Sequence, residues 1–160
     1  MMPRRLPYSD GDWIAVPLRE GRGFAVGLVA RHDGRGGVLG YFFSVLFSDV
    51  PTLDDVVGLG PSDALRVIRF GDLGLVKKRW AILGKAKNWR QEDWPIPAFG
   101  RREPTGRVFR VIYSADDLRG SSREEPISDE ECDRLPRDAL SGAGAVELVL
   151  TDILASESGE

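Results

Sequence analysis

Short apolar runs alternate with polar, glycine-bearing turns over the first two thirds of the chain. Asp12 to Leu18 and Phe24 to Arg31 are rich in β-branched and aromatic residues, and Arg19-Glu20-Gly21-Arg22-Gly23 separates them. That pattern predicts a β-hairpin. Pro17 has no amide proton for a ladder, which places it at an outward edge or a bulge, and Gly27 inside the second run points to a bend or a close backbone approach. A strongly curved sheet follows from both. After the turn Asp33-Gly34-Arg35-Gly36-Gly37, the run Val38 to Phe47 is too apolar to face water on either side, so it is expected as a central strand.

Thr52-Leu53-Asp54-Asp55 reads as a helix start that Gly58 and Gly60-Pro61 stop after a turn or two. Strands are expected at Ala64 to Phe70, with Arg66 and Arg69 at its polar positions, at Arg79 to Gly84, at Ile96 to Gly100 and at Arg107 to Tyr113. Ser114 to Glu131 has little apolar content and reads as an exposed loop. Ser128-Asp129-Glu130-Glu131 resembles a capping box, with Pro136 bounding the short helix it starts. From Ala143 to Leu154 the apolar residues fall at three- and four-residue steps, predicting an amphipathic helix; a strand over Val146 to Leu150 is the alternative. No repeat points to a solenoid or propeller.

These elements predict an α+β fold: a curved, mostly antiparallel sheet that could close toward a barrel, with one or two C-terminal helices packed on it. At 160 residues and 42% hydrophobic content the chain fits one domain, residues 1–160, with an ordered core over about 8–154. A single cysteine, Cys132, excludes an internal disulfide framework and a thiolate metal cage, and no apolar stretch follows the N-terminal Met1-Met2-Pro3-Arg4-Arg5, so a cytoplasmic location is expected. The ten residues Val38 to Phe47, interrupted by Gly40 and Ser44, are too few to span a bilayer. Net charge is -3, yet residues 1–110 carry 18 basic and 12 acidic side chains and residues 111–160 carry 4 and 13. Such asymmetry reports either a charged partner or a solvated tail.

Catalytic chemistry finds little support. His32 is the only histidine, beside a turn, and with Cys132 it offers neither a ligand set nor an activated nucleophile. The carboxylate pairs Asp54-Asp55, Asp116-Asp117, Glu124-Glu125 and Glu130-Glu131 are adjacent in sequence, which does not set two groups across a substrate. Gly34, Gly36 and Gly37 join strands, whereas phosphate-cradling glycines join a strand to a helix. The expectation is a binding protein with no enzymatic activity, cofactor or metal.

Two segments could bind. Lys77 to Arg90 holds six basic residues, no acidic one, and Trp80 and Trp89, a composition suited to nucleic acid or another anionic ligand, or to a strand with a basic outer face and Trp80 in the core. The acidic stretch Asp116 to Asp133 could instead meet a basic protein.

The ordered segments Gly11 to Leu18, Gly23 to Gly27, Leu39-Gly40-Tyr41-Phe42-Phe43, Arg69 to Leu75 and Trp94-Pro95-Ile96-Pro97-Ala98-Phe99 continue into Leu135-Pro136, Asp138, Gly142, Gly144 and Val146-Glu147. Together they resemble the immunity protein family numbered twenty-six, found beside bacterial polymorphic toxins, from about Tyr8 to Leu154. The resemblance implies a cytoplasmic protein that binds and blocks a cognate toxin without chemistry of its own. These motif residues look architectural and do not mark the binding face. Buried aromatics and charged rims carry most interfaces, so Trp89, Asp93, Trp94, Asp116, Asp117, Glu124, Glu125, Glu130 and Glu131 are the expected partner-binding residues, with Trp94 alternatively in the core. The partner the resemblance implies is a toxin protein, with no membrane; binding of nucleic acid or another anionic ligand through residues 77–90 is the alternative.

Overall fold

A computed structural model describes residues 5–120 and 123–157, the side chains of 155–157 excepted. The first two runs pair as β1 (Asp12–Pro17) and β2 (Phe24–His32), with Trp13 opposite Leu28 and Pro17 opposite Phe24. Then β3 (Gly37–Phe47) runs antiparallel along β2, and β4 (Ala64–Gly71) antiparallel along β3. On the other side β5 (Ala81–Lys85) pairs with Asp12 to Ala15 of β1 and stops short of Pro17, whose missing amide proton therefore leaves no gap in that ladder. A two-residue strand near the C-terminus, Leu140–Ser141, adds a parallel pairing outside β4, so that the innermost strands are β2 and β3.

Register shifts interrupt the β1–β5, β2–β3 and β3–β4 ladders, and each bends the sheet. Gly27 answers the close-approach expectation: a Cβ there would stand 2.7 Å from the Phe42 ring, which lies across the strand. The sheet nevertheless does not close into a barrel, because β5 and the short terminal strand remain opposite edges. Closure is unnecessary, since other elements cover both faces.

One face carries Ile14, Val29, Val38, Phe42, Phe70 and Trp80, over which Val146, Leu150 and Leu154 pack. Those three residues lie on a 15-residue helix, Ala143–Glu157, so the helical reading of the C-terminal pattern holds and the strand alternative does not. The other face carries Trp13, Leu28, Leu39, Tyr41 and Phe43 and packs against Phe99, Val111 and Tyr113 of a second sheet. That sheet consists of β6 (Phe99–Arg102), β7 (Val108–Ile112) and β8 (Arg123–Pro126), all antiparallel.

Within the expected loop Ser114 to Glu131, β8 is a correction; Ser121 and Ser122 of that stretch lie outside the described residues. Its sequence, Arg-Glu-Glu-Pro, has no apolar alternation. The strand forms through the backbone ladder and through opposite charges facing across it, Arg110 beside Glu125. The remaining helices are short: α1 (Leu53–Val56), α2 (Leu73–Val76), which the sequence pattern did not predict, and α3 (Asp129–Arg134). The Asp55 carboxylate accepts from Thr52 N–H and Oγ1 at 2.9 and 3.1 Å, and the Ser128 hydroxyl accepts the Glu131 N–H at 3.1 Å, as the capping patterns predicted. The terminal strand Leu140–Ser141 is β9 and the long helix Ala143–Glu157 is α4.

Candidate interaction surfaces

The charge imbalance along the chain folds largely onto itself. Arg101, Arg102 and Arg110 on β6 and β7 meet acidic residues of β8 and α3. Arg110 bonds Glu125 at 2.6 Å and Glu131 at 2.8 Å, Arg102 bonds Asp129 at 2.5 Å and Asp133 at 3.2 Å, and Arg101 bonds Glu124. Glu124, Glu125 and Glu131 thus sit in a mixed-charge network instead of a bare acidic patch, while Glu130 is exposed. Asp116 is also exposed; the Asp117 carboxylate accepts the N–H groups of Gly120 and Arg119, which hold it below the usual carboxylate range.

Trp94 is buried at 7% exposure, its ring set edge-on to Tyr41 at 5.1 Å and Trp13 at 6.2 Å. Its segment is pinned from below. Arg31 of β2, itself buried, donates to the Trp94 and Gln91 carbonyls at 2.9 and 3.0 Å, and the Tyr41 hydroxyl donates to the Pro95 carbonyl at 2.5 Å. Burial lowers the Arg31 guanidinium from its ordinary pKa and raises the Tyr41 phenol. Trp89 is half-buried and tilted against Trp94 at 6.1 Å, and Asp93 is exposed beside it. Trp13, Leu53, Val57, Trp89 and Trp94 line a cleft of about 90 Å³ together with the exposed Lys85 and Lys87. That holds a few waters at roughly 30 Å³ each.

The basic stretch from Lys77 to Arg90 is divided by the fold. Trp80 is 1% exposed, packs on Phe70 at 5.3 Å and donates its indole N–H to Glu147 at 2.9 Å, so it offers no face for stacking a base. Arg79 bonds Glu147 at 2.5 Å and Lys85 donates to Ser9 and the Asp10 carbonyl. Lys77, Lys78, Lys87 and Arg90 are exposed. His32 bonds Asp10 at 2.6 Å, and among the described residues no cluster of three or more His, Cys, Asp or Glu could hold a metal ion.

A larger groove, about 590 Å³, runs along the outer flank of β4. Its floor is Ala64 to Ile68, one wall is Asp133 to Arg137, and Val149 of α4 stands on the other.

The sequence model of the Immunity protein 26 family matches residues 9–120. The chain belongs to that family. No curated protein and no solved structure matches the chain. The Immunity protein 26 match takes in β1 through β7, hence the six-stranded sheet apart from β9, and all three tryptophans of the cleft. The acidic partners on β8 and α3 lie beyond it, as does the far wall of the β4 groove. Among the described residues no helix is long and apolar enough to cross a membrane.

The sequence reading missed this groove, although it placed the β4 strand and Arg66. Strand order decides which flank is open, and no local pattern encodes that order. It also missed Glu147, Arg31 and Arg69 as buried charges, because a charged residue inside an apolar pattern reads as a polar position until its partner is known.

Proposed function

We propose that this chain neutralises a cognate toxin of a bacterial polymorphic toxin system by stoichiometric protein–protein association in the cytoplasm, acting as one domain, residues 1–160 with a core over about 8–154, and without catalysis. The observation that carries this reading is the Immunity protein 26 match over residues 9–120. The interior supports it: each buried charge described above is committed to a neighbouring group of the fold. Trp89, Asp93, Asp116 and Glu130 present side chains at the surface, whereas Trp94 supports the interface from beneath and Glu124, Glu125 and Glu131 contribute with their arginines attached. Co-expression with the toxin domain encoded beside this chain tests the reading: growth is restored by the chain and lost without it. A toxin equally lethal in both strains refutes it.

A further inference from the structure

The open flank of β4 is specific about what it would accept. Asp72 N–H donates to the Gly36 carbonyl at 3.0 Å, and the register from Gly37↔Gly71 to Phe42↔Arg66 is unbroken. Even-numbered residues of β4 therefore bond β3, while Gly71, Arg69 and Val67 turn their amide groups outward. β9 pairs with β4 only at Arg69 and Phe70. Val67 lies opposite Tyr41 of β3, and among the described residues no strand pairs with it on the outer side, where its amide groups point. An unpaired edge is a template for an extended chain.

The surroundings add charge and apolar surface. Arg66 shares a face with Ile68 and Phe70, toward α4, and Arg134 and Arg137 stand on the opposite wall. None of these three arginines makes an ion pair among the described residues, while Asp133 in the same groove is held by Arg102. Val149, 41% exposed, supplies an apolar contact at the rim. A second copy docking symmetrically through this same edge would set arginines against arginines, and the unpaired arginines favour an acidic occupant.

We infer that an extended acidic segment of the toxin adds as a strand to β4, its backbone pairing at Val67 and its carboxylates meeting Arg66, Arg134 and Arg137. The inference rests on the immunity reading for the identity of the partner. It locates the docking edge in the family-matched sheet and the charged wall in the stretch beyond it.

The test pans the full chain with a displayed library of random linear dodecapeptides. Enriched sequences should alternate β-branched residues with Asp or Glu. A representative synthetic peptide should bind about tenfold or more weakly to Val67→Pro, which removes an outward amide and no β3–β4 hydrogen bond, and to Arg66→Glu/Arg137→Glu, whose side chains are exposed. Circular dichroism checks that both variants fold; the charge variant keeps the test alive if proline does not. The proposal is overturned by no enrichment, by basic or neutral consensus sequences, by binding to the folded variants as tight as to wild type, or by a wild-type dimer that the variants abolish. Toxin co-expression separates the two claims. If both variants protect as well as wild type, the docking edge is wrong and immunity stands; if wild type fails to protect, the immunity reading falls and the peptide result alone decides the edge.

Discussion

Replacing Arg69 with leucine removes a cation that ties the two sheets together from inside. The guanidinium is 3% exposed, donates to the Leu118 carbonyl at 2.5 Å and to Asp138 at 2.8 Å, and lies 3.7 Å over the Tyr113 ring. Its loss leaves the Asp138 carboxylate, 7% exposed, with the Tyr113 hydroxyl and with Arg101 at 4.0 Å. Breaking a buried pair in this way costs about 3–5 kcal/mol. Arg69 Nε has no hydrogen-bond partner, and leucine would keep contact with Phe99 and Tyr113, so the lower end, about 3 kcal/mol, is expected. For a chain of this length that is a fall in Tm of roughly 6–12 °C. Urea unfolding followed by tryptophan fluorescence reads it, together with Asp138→Leu and the double variant. The double variant should lose less than the sum of the singles by about 1–3 kcal/mol, since it leaves no orphaned charge. A loss within about 1 kcal/mol for Arg69→Leu, the range of exposed pairs, or strict additivity would refute the reasoning.

Arg110→Ala breaks two ion pairs whose partners are 41% and 47% exposed, so it should cost only about 0–1 kcal/mol in the same assay despite the similar count of bonds; a loss as large as that of Arg69→Leu would contradict it. Gly27→Ala puts a Cβ 2.7 Å from the Phe42 ring and should destabilise by about 1–3 kcal/mol, with unchanged stability as the contrary result. All three tyrosines have phenols raised above their ordinary pKa: burial is the leading cause in each, with hydrogen bonds to Asp72 for Tyr8 and to Asp138 for Tyr113. The folded state therefore holds these protons more tightly than the unfolded chain. Their contribution is intact below about pH 10 and is lost as pH rises beyond it. Phenolate absorbance should appear only with unfolding; titration of the native protein at an ordinary tyrosine pKa would overturn the assignment.

What was legible in the sequence is what periodicity and turn chemistry encode. The β1–β2 hairpin, the central place of Val38 to Phe47, the Thr52 and Ser128 caps and the helix over Ala143 to Leu154 follow from spacing and from residues that need a particular backbone. β8 was not legible because its pairing rests on Arg110, Arg101 and the backbone, not on an apolar face. Glu147 looked like the polar side of α4, yet it is 1% exposed because Arg79, Arg19 and the Trp80 indole converge on it. The acidic C-terminal third suggested a charged face; only the fold shows that its carboxylates answer the arginines of β6 and β7. For the same reason the open flank of β4 could not be read from the chain: it exists because β9 is only two residues long.

The most direct measurement of the central claim is a titration of the purified toxin domain with this chain, reading residual toxin activity against molar ratio. Neutralisation by association predicts a linear fall that reaches zero at about one equivalent, with the two proteins co-eluting as a stable complex. Inactivation of many toxin molecules by each copy of the chain, or full toxin activity at a large excess, would contradict it.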